Sequence, residues 1–435
     1  MKKLLPLFIS AALGSLSTSA WADTLADIYN QAKDNDPKLL SAAATRDQAF
    51  EAINSSRASL LPQIALTAGY DVNRGEIDNR DNDSDGWKAG INFTQELYNR
   101  SSWITLDTAE KGARQADAAY AAVQQALILR VSQAYFDVLR AQDNLVFVQA
   151  EKAAVGRQLE QTKQRFEVGL SAITDVHDAQ AQYDAVLADE VLAQNSLVNS
   201  YEGLREITGQ AHANLDVLDT ARFSASKTAA TIDSLLSEAQ QKNLSLLSAR
   251  ISQDIAKDNI SNASSGHLPT LNLKGGYNLT DMDIESGNTE TDNLNLGIQL
   301  DVPLYTGGSV TSATKQAEFG YVAASQDLEE TYRGVVKDVR AFNNNINASI
   351  GALRAYEQTV ISAQSALEAT EAGFDVGTRT IVDVLDSTRR LYDANKNLSN
   401  ARYDYILSEL QLRQAVGTLS EQDIVDINAG LKPAK

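Results

Sequence analysis

An internal repeat constrains this chain more than any other feature of its sequence. The segment Leu39-Leu40-Ser41-Ala42 recurs as Leu246-Leu247-Ser248-Ala249, and Phe166-Glu167-Val168-Gly169 recurs as Phe374-Asp375-Val376-Gly377. Both offsets are about 207 to 208 residues, and chance does not hold a register over such a distance. Self-similarity at a fixed spacing indicates two copies of one structural unit. We therefore expect a first repeat at 23–218, a second repeat at 219–418 and a C-terminal tail at 419–435.

Each repeat contains two candidate strands joined by a polar loop, and we expect these strand hairpins at about 63–98 and about 270–305. Apolar and polar residues alternate along them, which places one set on each face of a sheet. Each alternating run is about ten residues long, the length that a tilted strand needs to cross a bilayer. Aromatic residues near the strand ends are typical of a membrane girdle: Tyr70, Trp87, Tyr98, Tyr277 and Tyr305. The alternative is a soluble sheet with one wet face.

The number of strands per chain has a consequence for assembly. Four strands cannot close a barrel, and lipid tolerates no open sheet edge. Two copies would give eight strands, whose interior side chains fill. Three copies would give twelve strands and leave an aqueous channel, so we expect a homotrimer that contacts outer-membrane lipid.

The rest of the chain is predicted to be helical. From about 101 to 168 there is no proline and no credible turn, which predicts a helix about 100 Å long. Apolar residues alternate spacings of four and three, as in a coiled coil: Leu127, Val131, Ala134, Val138, Ala141, Leu145 and Val148. Gly169 and Gly377 then indicate sharp turns, so we expect two helical hairpins with tips near 169 and 377. Three chains would place twelve helices side by side around a wet bore.

Composition and the N-terminus narrow the class of protein. Residues 1–22 read as a signal peptide, with Lys2 and Lys3 before an apolar run and Ala20-Trp21-Ala22 at the end. The net charge of −19 argues against nucleic-acid binding. With no cysteine, three scattered histidines and no glycine-rich phosphate loop, we expect no enzyme activity, no cofactor and no metal site.

The hairpin tips and strand exits resemble the outer-membrane efflux protein family. The segments that carry the resemblance are RFEVGLSAITDVHDAQAQYD, EAGFDVGTRTIVDVLDSTRRLYDA and DVPLYTGG. The likeness covers essentially the whole mature chain. It implies an all-α chain with a membrane β-barrel segment, in which a trimeric twelve-stranded outer-membrane β-barrel continues into a twelve-helix periplasmic α-barrel. It also implies two kinds of partner, a periplasmic adaptor (membrane fusion) protein and an inner-membrane transporter of the drug-efflux or ABC secretion type.

The resemblance also assigns roles to residues at the tips. The gate constriction falls on Asp383 and Asp386, and the gate-closing network on Thr174 and Asp175 of one hairpin with Arg379 and Phe374 of the other. The family has tyrosine where this chain has Phe374, so the hydroxyl that would bond to Asp175 is missing. The residues expected to contact the adaptor are Val168, Gly169, Leu170, Val376, Gly377 and Thr378.

The chemistry of these residues suits a gate. Asp383 and Asp386 are three apart, so they share one helix face, and threefold symmetry would stack them as two rings that favour cations. The alternative is a solvated acidic helix start, which the helix dipole favours. Arg379 has Ser171 as its counterpart in the first repeat, so this cation occurs once per chain at the tips.

The sequence patterns predict a conduit in the outer membrane. The resemblance implies that it passively exports drugs, small toxic molecules and proteins received from pumps in the inner membrane, gated by an acidic constriction. The alternative is a non-conducting structural or adhesion protein that spans the periplasm from an outer-membrane anchor. The sequence does not identify the exported substrates.

Overall fold

The computed structural model describes residues 23–77, 80–81, 83–284 and 287–433. The signal peptide predicted at 1–22 lies outside these residues. The described helices are α1 Leu25–Asn35, α2 Pro37–Ala58, α3 Arg100–Glu167, α4 Ile173–Thr208, α5 Ile232–Lys242, α6 Leu244–Ser264, α7 Ser309–Asp375, α8 Ile381–Val416 and α9 Glu421–Asn428. The strands are β1 Gln63–Asn73, β2 Glu76–Ile77, β3 Arg80–Asp81, β4 Ser84–Tyr98, β5 Val217–Leu218, β6 Thr270–Ile284, β7 Gly287–Asp301 and β8 Leu431–Lys432.

The four long strands form one antiparallel sheet in the order β1-β4-β6-β7. The two strand hairpins meet where β4 pairs with β6, so that Ile91 lies opposite Tyr277. The outer strands β1 and β7 each have one neighbour, and their apolar side chains are exposed, with Leu66 at 77% and Leu294 at 79%. The sheet of a single chain therefore has two open edges.

One of the four strands has close to the predicted length of about ten residues, and the other three are clearly longer. Strands β4, β6 and β7 each contain 15 residues, and β1 contains 11. The extra residues are mostly polar, as in Asp283 opposite Asn288. They belong to the strands because antiparallel pairing continues in register beyond the alternating apolar run. The prediction counted the apolar run alone.

The helix α3 is the central element of the helical part. It contains 68 residues, which gives a length of about 100 Å at 1.5 Å per residue. It packs against α2 and α6 over one part of its length and against α4 and α8 over another. Its heptad stripe is buried, with Leu127, Val131 and Val138 all at 0% exposure. The periodic apolar residues therefore form the seams between neighbouring helices.

A mixed region of short elements braces the middle of the long helices. Strands β5 and β8 pair with each other, and α1 and α9 pack with α3 and α8 in one apolar cluster. Inside it Arg130 donates to both carboxylate oxygens of Asp36, at 3.1 and 2.6 Å, and Tyr135 donates to the carbonyl of Asp216 at 2.6 Å. These polar contacts fix α3 to the start of α2 and to the segment before β5, all within the first repeat.

In the part of the chain that the structure describes, no helix combines the length and the apolar character needed to span a membrane.

Candidate gate at the hairpin tips

Both long hairpins reverse direction through the same local structure. The first tip (residues 168–172) joins α3 to α4, and the second tip (residues 376–380) joins α7 to α8. Gly169 has a φ of 74° and Gly377 a φ of 77°, a left-handed conformation that costs glycine little. The amide of Leu170 donates to the carbonyl of Arg165 at 2.7 Å, and Thr378 donates likewise to Gly373 at 2.8 Å. The bonds are those of a Schellman motif, which satisfies the last carbonyl groups of each helix.

The tips carry exposed apolar side chains. Val168 and Leu170 are each 70% exposed, and Val376 is 75% exposed. These are among the residues that the sequence assigned to adaptor contact, and each sits at the extreme end of a hairpin, where a partner has access. Their role stays a prediction.

The two tips are held together inside one chain by an apolar cluster. Val155 and Leu159 of α3 and Ala179 and Val186 of α4 pack with residues from the other hairpin. The latter are Phe374, Ile381, Val384 and Leu385. Each chain therefore carries its pair of tips as one packed unit.

Asp383 caps the start of α8. One of its oxygens, Oδ2, accepts hydrogen bonds from the backbone amide and from the hydroxyl of Thr380, both at 2.9 Å. The amide of Asp383 donates back to the Thr380 hydroxyl at 3.2 Å, which completes a capping box. The two bonds from Thr380, together with the positive charge of Arg379, lower the pKa of Asp383. Asp383 therefore has the local role at a helix start that we gave as the alternative to a gate, and its carboxylate stays charged in that role.

Asp386 has two cationic neighbours that the sequence-based interpretation did not include. Its Oδ1 lies 2.7 Å from the Nη2 of Arg389, and its Oδ2 lies 2.6 Å from the Nη2 of Arg390. The signal was available in the sequence, because arginines three and four residues after an aspartate face it on a helix.

The residues of the predicted closing network do not all meet within one chain. Asp175 accepts hydrogen bonds from the Ser171 hydroxyl at 2.6 Å and from the Ala172 amide at 3.1 Å, both in its own hairpin. Arg379 lies in the second tip with its side-chain stem against Gly373. Among the described residues it makes no salt bridge, and the helix start at Thr174 is exposed. Arg379 is thus available to a neighbouring surface.

Phe374 points into the molecule rather than into a polar network. It is 9% exposed, and the guanidinium carbon of Arg165 lies 4.6 Å from the centre of its ring. Arg165 also approaches Asp375, with 3.7 Å between Nη1 and Oδ1. The ring therefore serves as an apolar and cation–π anchor between the hairpins.

The tips combine charged helix starts with exposed and packed apolar side chains. Within the ranges that the structure describes, no group of three or more histidine, cysteine, aspartate or glutamate side chains is arranged to hold a metal ion. Charged helix starts, a packed apolar cluster and exposed tips are features of a part that moves or docks.

Comparisons with known proteins place the chain in a family. The sequence profile of the family described as outer membrane efflux protein matches residues 28–210 and 235–418. The chain is 74% identical to the outer membrane protein TolC of Vibrio cholerae serotype O1, with all of both chains covered. It is 46% identical to TolC of Escherichia coli K12, covering 99% of this chain and 90% of the relative. The alkaline protease secretion protein AprF of Pseudomonas aeruginosa is 29% identical, covering 98% and 90%.

Solved structures share the fold. A structure of CusC matches with a TM-score of 0.80 at 17% identity, covering 91% of this chain and 92% of that one. The Campylobacter jejuni CmeC outer membrane channel matches with a TM-score of 0.77 at 16% identity, covering 99% and 98%.

The fold and the relatives together define an outer-membrane channel of the efflux and secretion type. This chain belongs to the outer membrane efflux protein family, and its location is the outer membrane.

Proposed function

We propose that three copies of this chain assemble into a passive export duct, with a twelve-stranded β-barrel in the outer membrane and a twelve-helix α-barrel across the periplasm. The observation that carries the proposal is the sheet of four strands with open edges at β1 and β7. An edge strand exposes unpaired amides and carbonyls, which cost several kcal/mol each in lipid. Pairing β7 of one copy with β1 of the next removes every edge.

The helical part supports the same assembly. The flanking helix α7 exposes Phe319, Val322 and Ile361, at 74, 54 and 60%. The flanking helix α4 exposes Val191 and Leu192, at 64 and 66%. Burying apolar surface of this kind yields about 25 cal/mol per Å², so these helices gain stability when a neighbouring copy covers them.

The gate of the duct lies at the tips. Asp383 and Asp386 of three copies form two rings around the axis, and Arg379 closes the ring of helices by bonding to Thr174 and Asp175 of an adjoining hairpin. The exposed tip position of Arg379, the absence of a salt bridge to it among the described residues and the accessible helix start at Thr174 support this assignment. Phe374 contributes packing in place of the hydroxyl that a tyrosine would supply.

Opening is a population shift driven by partners. A periplasmic adaptor that binds splayed tips more tightly than closed tips moves the equilibrium toward the open state. The exposed Val168, Leu170 and Val376 are suited to that contact. An inner-membrane transporter of the drug-efflux or ABC secretion type then delivers drugs, small toxic molecules or proteins. The family description, outer membrane efflux protein, supports export in general, and the name of one relative, an alkaline protease secretion protein, supports protein cargo.

Single-channel recording of the purified protein in planar bilayers tests this function. We expect small currents from the closed wild-type channel and a several-fold larger conductance for Arg379→Ser, because each charge-assisted bond is worth about 1.5–3 kcal/mol and three copies act together. The matched control is Arg333→Gln, which removes an exposed arginine paired with Glu329 on α7, about 60 Å from the second tip.

Two outcomes would contradict the proposal at different levels. Unchanged conductance in Arg379→Ser would remove this residue from the lock. A wild-type protein that never conducts would favour the alternative of a structural or adhesion protein.

A further inference from the structure

Both carboxylate oxygens of Asp386 are paired with arginines of its own helix. Each carboxylate oxygen is taken by a different guanidinium, Oδ1 by Arg389 at 2.7 Å and Oδ2 by Arg390 at 2.6 Å. A cation that sought Asp386 as a ligand would have to displace two arginines. The two arginines follow Asp386 by three and four residues on α8, so the helix itself keeps both of them beside the carboxylate.

Asp383 provides a contrast one turn earlier. Its described bonds go through Oδ2 to Thr380, which is a neutral partner. The nearest cationic influence on it is Arg379, which acts at a distance rather than through a bond. Asp383 thus retains a net negative charge, whereas Asp386 does not.

The two arginines differ in their surroundings. Arg390 is 74% exposed and its described ionic partner is Asp386. Arg389 is 56% exposed and also lines a cavity of about 410 Å³ between α3, α4 and α8, together with the acidic residues Glu151, Asp189 and Asp393. The charge of Arg389 therefore acts both on Asp386 and on the acidic residues of the cavity, whereas Arg390 acts on Asp386 alone.

We propose that Arg389 and Arg390 are selectivity-determining residues of the duct entrance, which neutralise the Asp386 ring and so weaken both cation preference and block by multivalent cations. The proposal rests on the proposed function, since it requires the tips to line the conducting path. In each copy two arginines pair with the charge of Asp386, whereas Asp383 has only a neutral partner among the described residues. A ring of paired charges focuses a much weaker field on the axis than a ring of bare carboxylates.

The test is bilayer recording of the full-length trimer with two readouts, the reversal potential in a KCl gradient and the block by La³⁺ added on the side of the tips. The variants are Arg390→Gln and the double variant Arg389→Gln with Arg390→Gln. The control for charge is the double lysine variant, Arg389→Lys with Arg390→Lys, and the remote control is Arg333→Gln.

We expect the double glutamine variant to bind La³⁺ at least tenfold more tightly than the wild type and to shift its reversal potential toward the cation limit. Arg390→Gln alone should bind La³⁺ about fourfold more tightly than the wild type, a smaller change in the same direction. The lysine variant and Arg333→Gln should stay within about twofold of the wild type, since the first keeps the charge and the second lies far from the tips.

A conducting double glutamine variant that stays within twofold of the wild type in both readouts overturns the inference. If the double variant fails to assemble, Arg390→Gln decides on the same criterion, because Arg390 does not line the acidic cavity. A wild-type trimer that does not conduct overturns the proposed function and this inference with it. Conducting channels with unchanged selectivity overturn this inference alone.

Discussion

Glu151 shows how a single side chain links the stability of the helical part of the chain to pH. It lies on α3 beside the cavity shared with α4 and α8, where Asp189, Asp393, Arg389, Tyr392 and Lys396 face it. Burial, followed by the charges of Asp393 and Asp189, raises its pKa to about 7, and Arg389 opposes part of this shift. The carboxyl group is therefore partly protonated near neutral pH in the folded chain.

The sign of the pH effect follows from this shift. The ordinary pKa of the group is 4.5, so between about pH 4.5 and 7 the folded chain holds a proton that the unfolded chain has released. The contribution of Glu151 to stability is greatest below pH 4.5 and is lost as the pH rises through 7. We expect Glu151→Gln to stabilise the protein at pH 8 by about 1 kcal/mol per protomer, allowing for partial exposure, and to change little at pH 5.

Thermal unfolding of the detergent-solubilised protein between pH 5 and 8 measures this effect. The matched control is Glu190→Gln on α4, because Glu190 accepts a 2.7 Å hydrogen bond from Lys152 that lowers its pKa. Glu190 stays charged in both states above pH 5, so its variant should keep the wild-type pH slope. Equal slopes in Glu151→Gln and the wild type would contradict the assignment.

Some residue positions and contacts could be predicted from the sequence and others could not. The positions of Asp383, Asp386 and the tip residues follow from the motif and from the turn glycines. The hydrogen bond from the Ser171 hydroxyl to Asp175 was not predicted, because a serine hydroxyl can bond to several nearby backbone and side-chain acceptors. The pairing of Arg389 and Arg390 with Asp386 was not predicted either, although spacings of three and four residues on a helix indicate it.

At the scale of elements, the ends of α4 and α8 are equivalent in the repeat but differ in how tightly they are packed. Gly209 caps α4 with a φ of 72°, and Gly417 caps α8 with a φ of 87°. A β carbon added at Gly209 would meet nothing closer than the β carbon of Asn35 at 3.9 Å. At Gly417 it would lie 2.3 Å from the carbonyl oxygen of Lys242.

This difference predicts unequal costs for the same substitution. Gly209→Ala should lose about 1 kcal/mol, the cost of a left-handed alanine. Gly417→Ala should lose at least about 2 kcal/mol, because the loop before α6 must also move. Midpoints of thermal unfolding compare the two variants directly, and equal midpoints would mean that the contact with Lys242 is not maintained.

The long elements were the predictable ones. A heptad stripe sustained from Leu127 to Val148 specifies a helix by itself, because its period matches only that structure. Alternation from Ile64 to Val72 specifies a strand for the same reason. Helices were expected at the start of each repeat, but the bounds of α1 and α5 were not predicted, since eleven residues carry little periodic signal. The strands β5 and β8 were not predicted, because they form through a contact distant in sequence, Val217 with Lys432.

At the scale of the whole molecule, one chain is not a complete structural unit. Within the described residues, each edge strand of its sheet is paired on one side only, and its flanking helices α4 and α7 expose apolar side chains. The count of four strands in the sequence predicted that one chain is incomplete. The number of copies follows from how many strands close a barrel, which the structure of a single chain does not display. Assembly is therefore the central claim of this account.

Cysteine cross-linking of the two edge strands tests that claim most directly, because the chain has no cysteine of its own. One cysteine replaces Thr67 in β1, and a second is scanned through positions 293–299 of β7. On oxidation in outer membranes we expect at least one pair to give a covalent ladder that stops at three chains. A cross-link that forms only within one chain, or a ladder that stops at two or four, would contradict it.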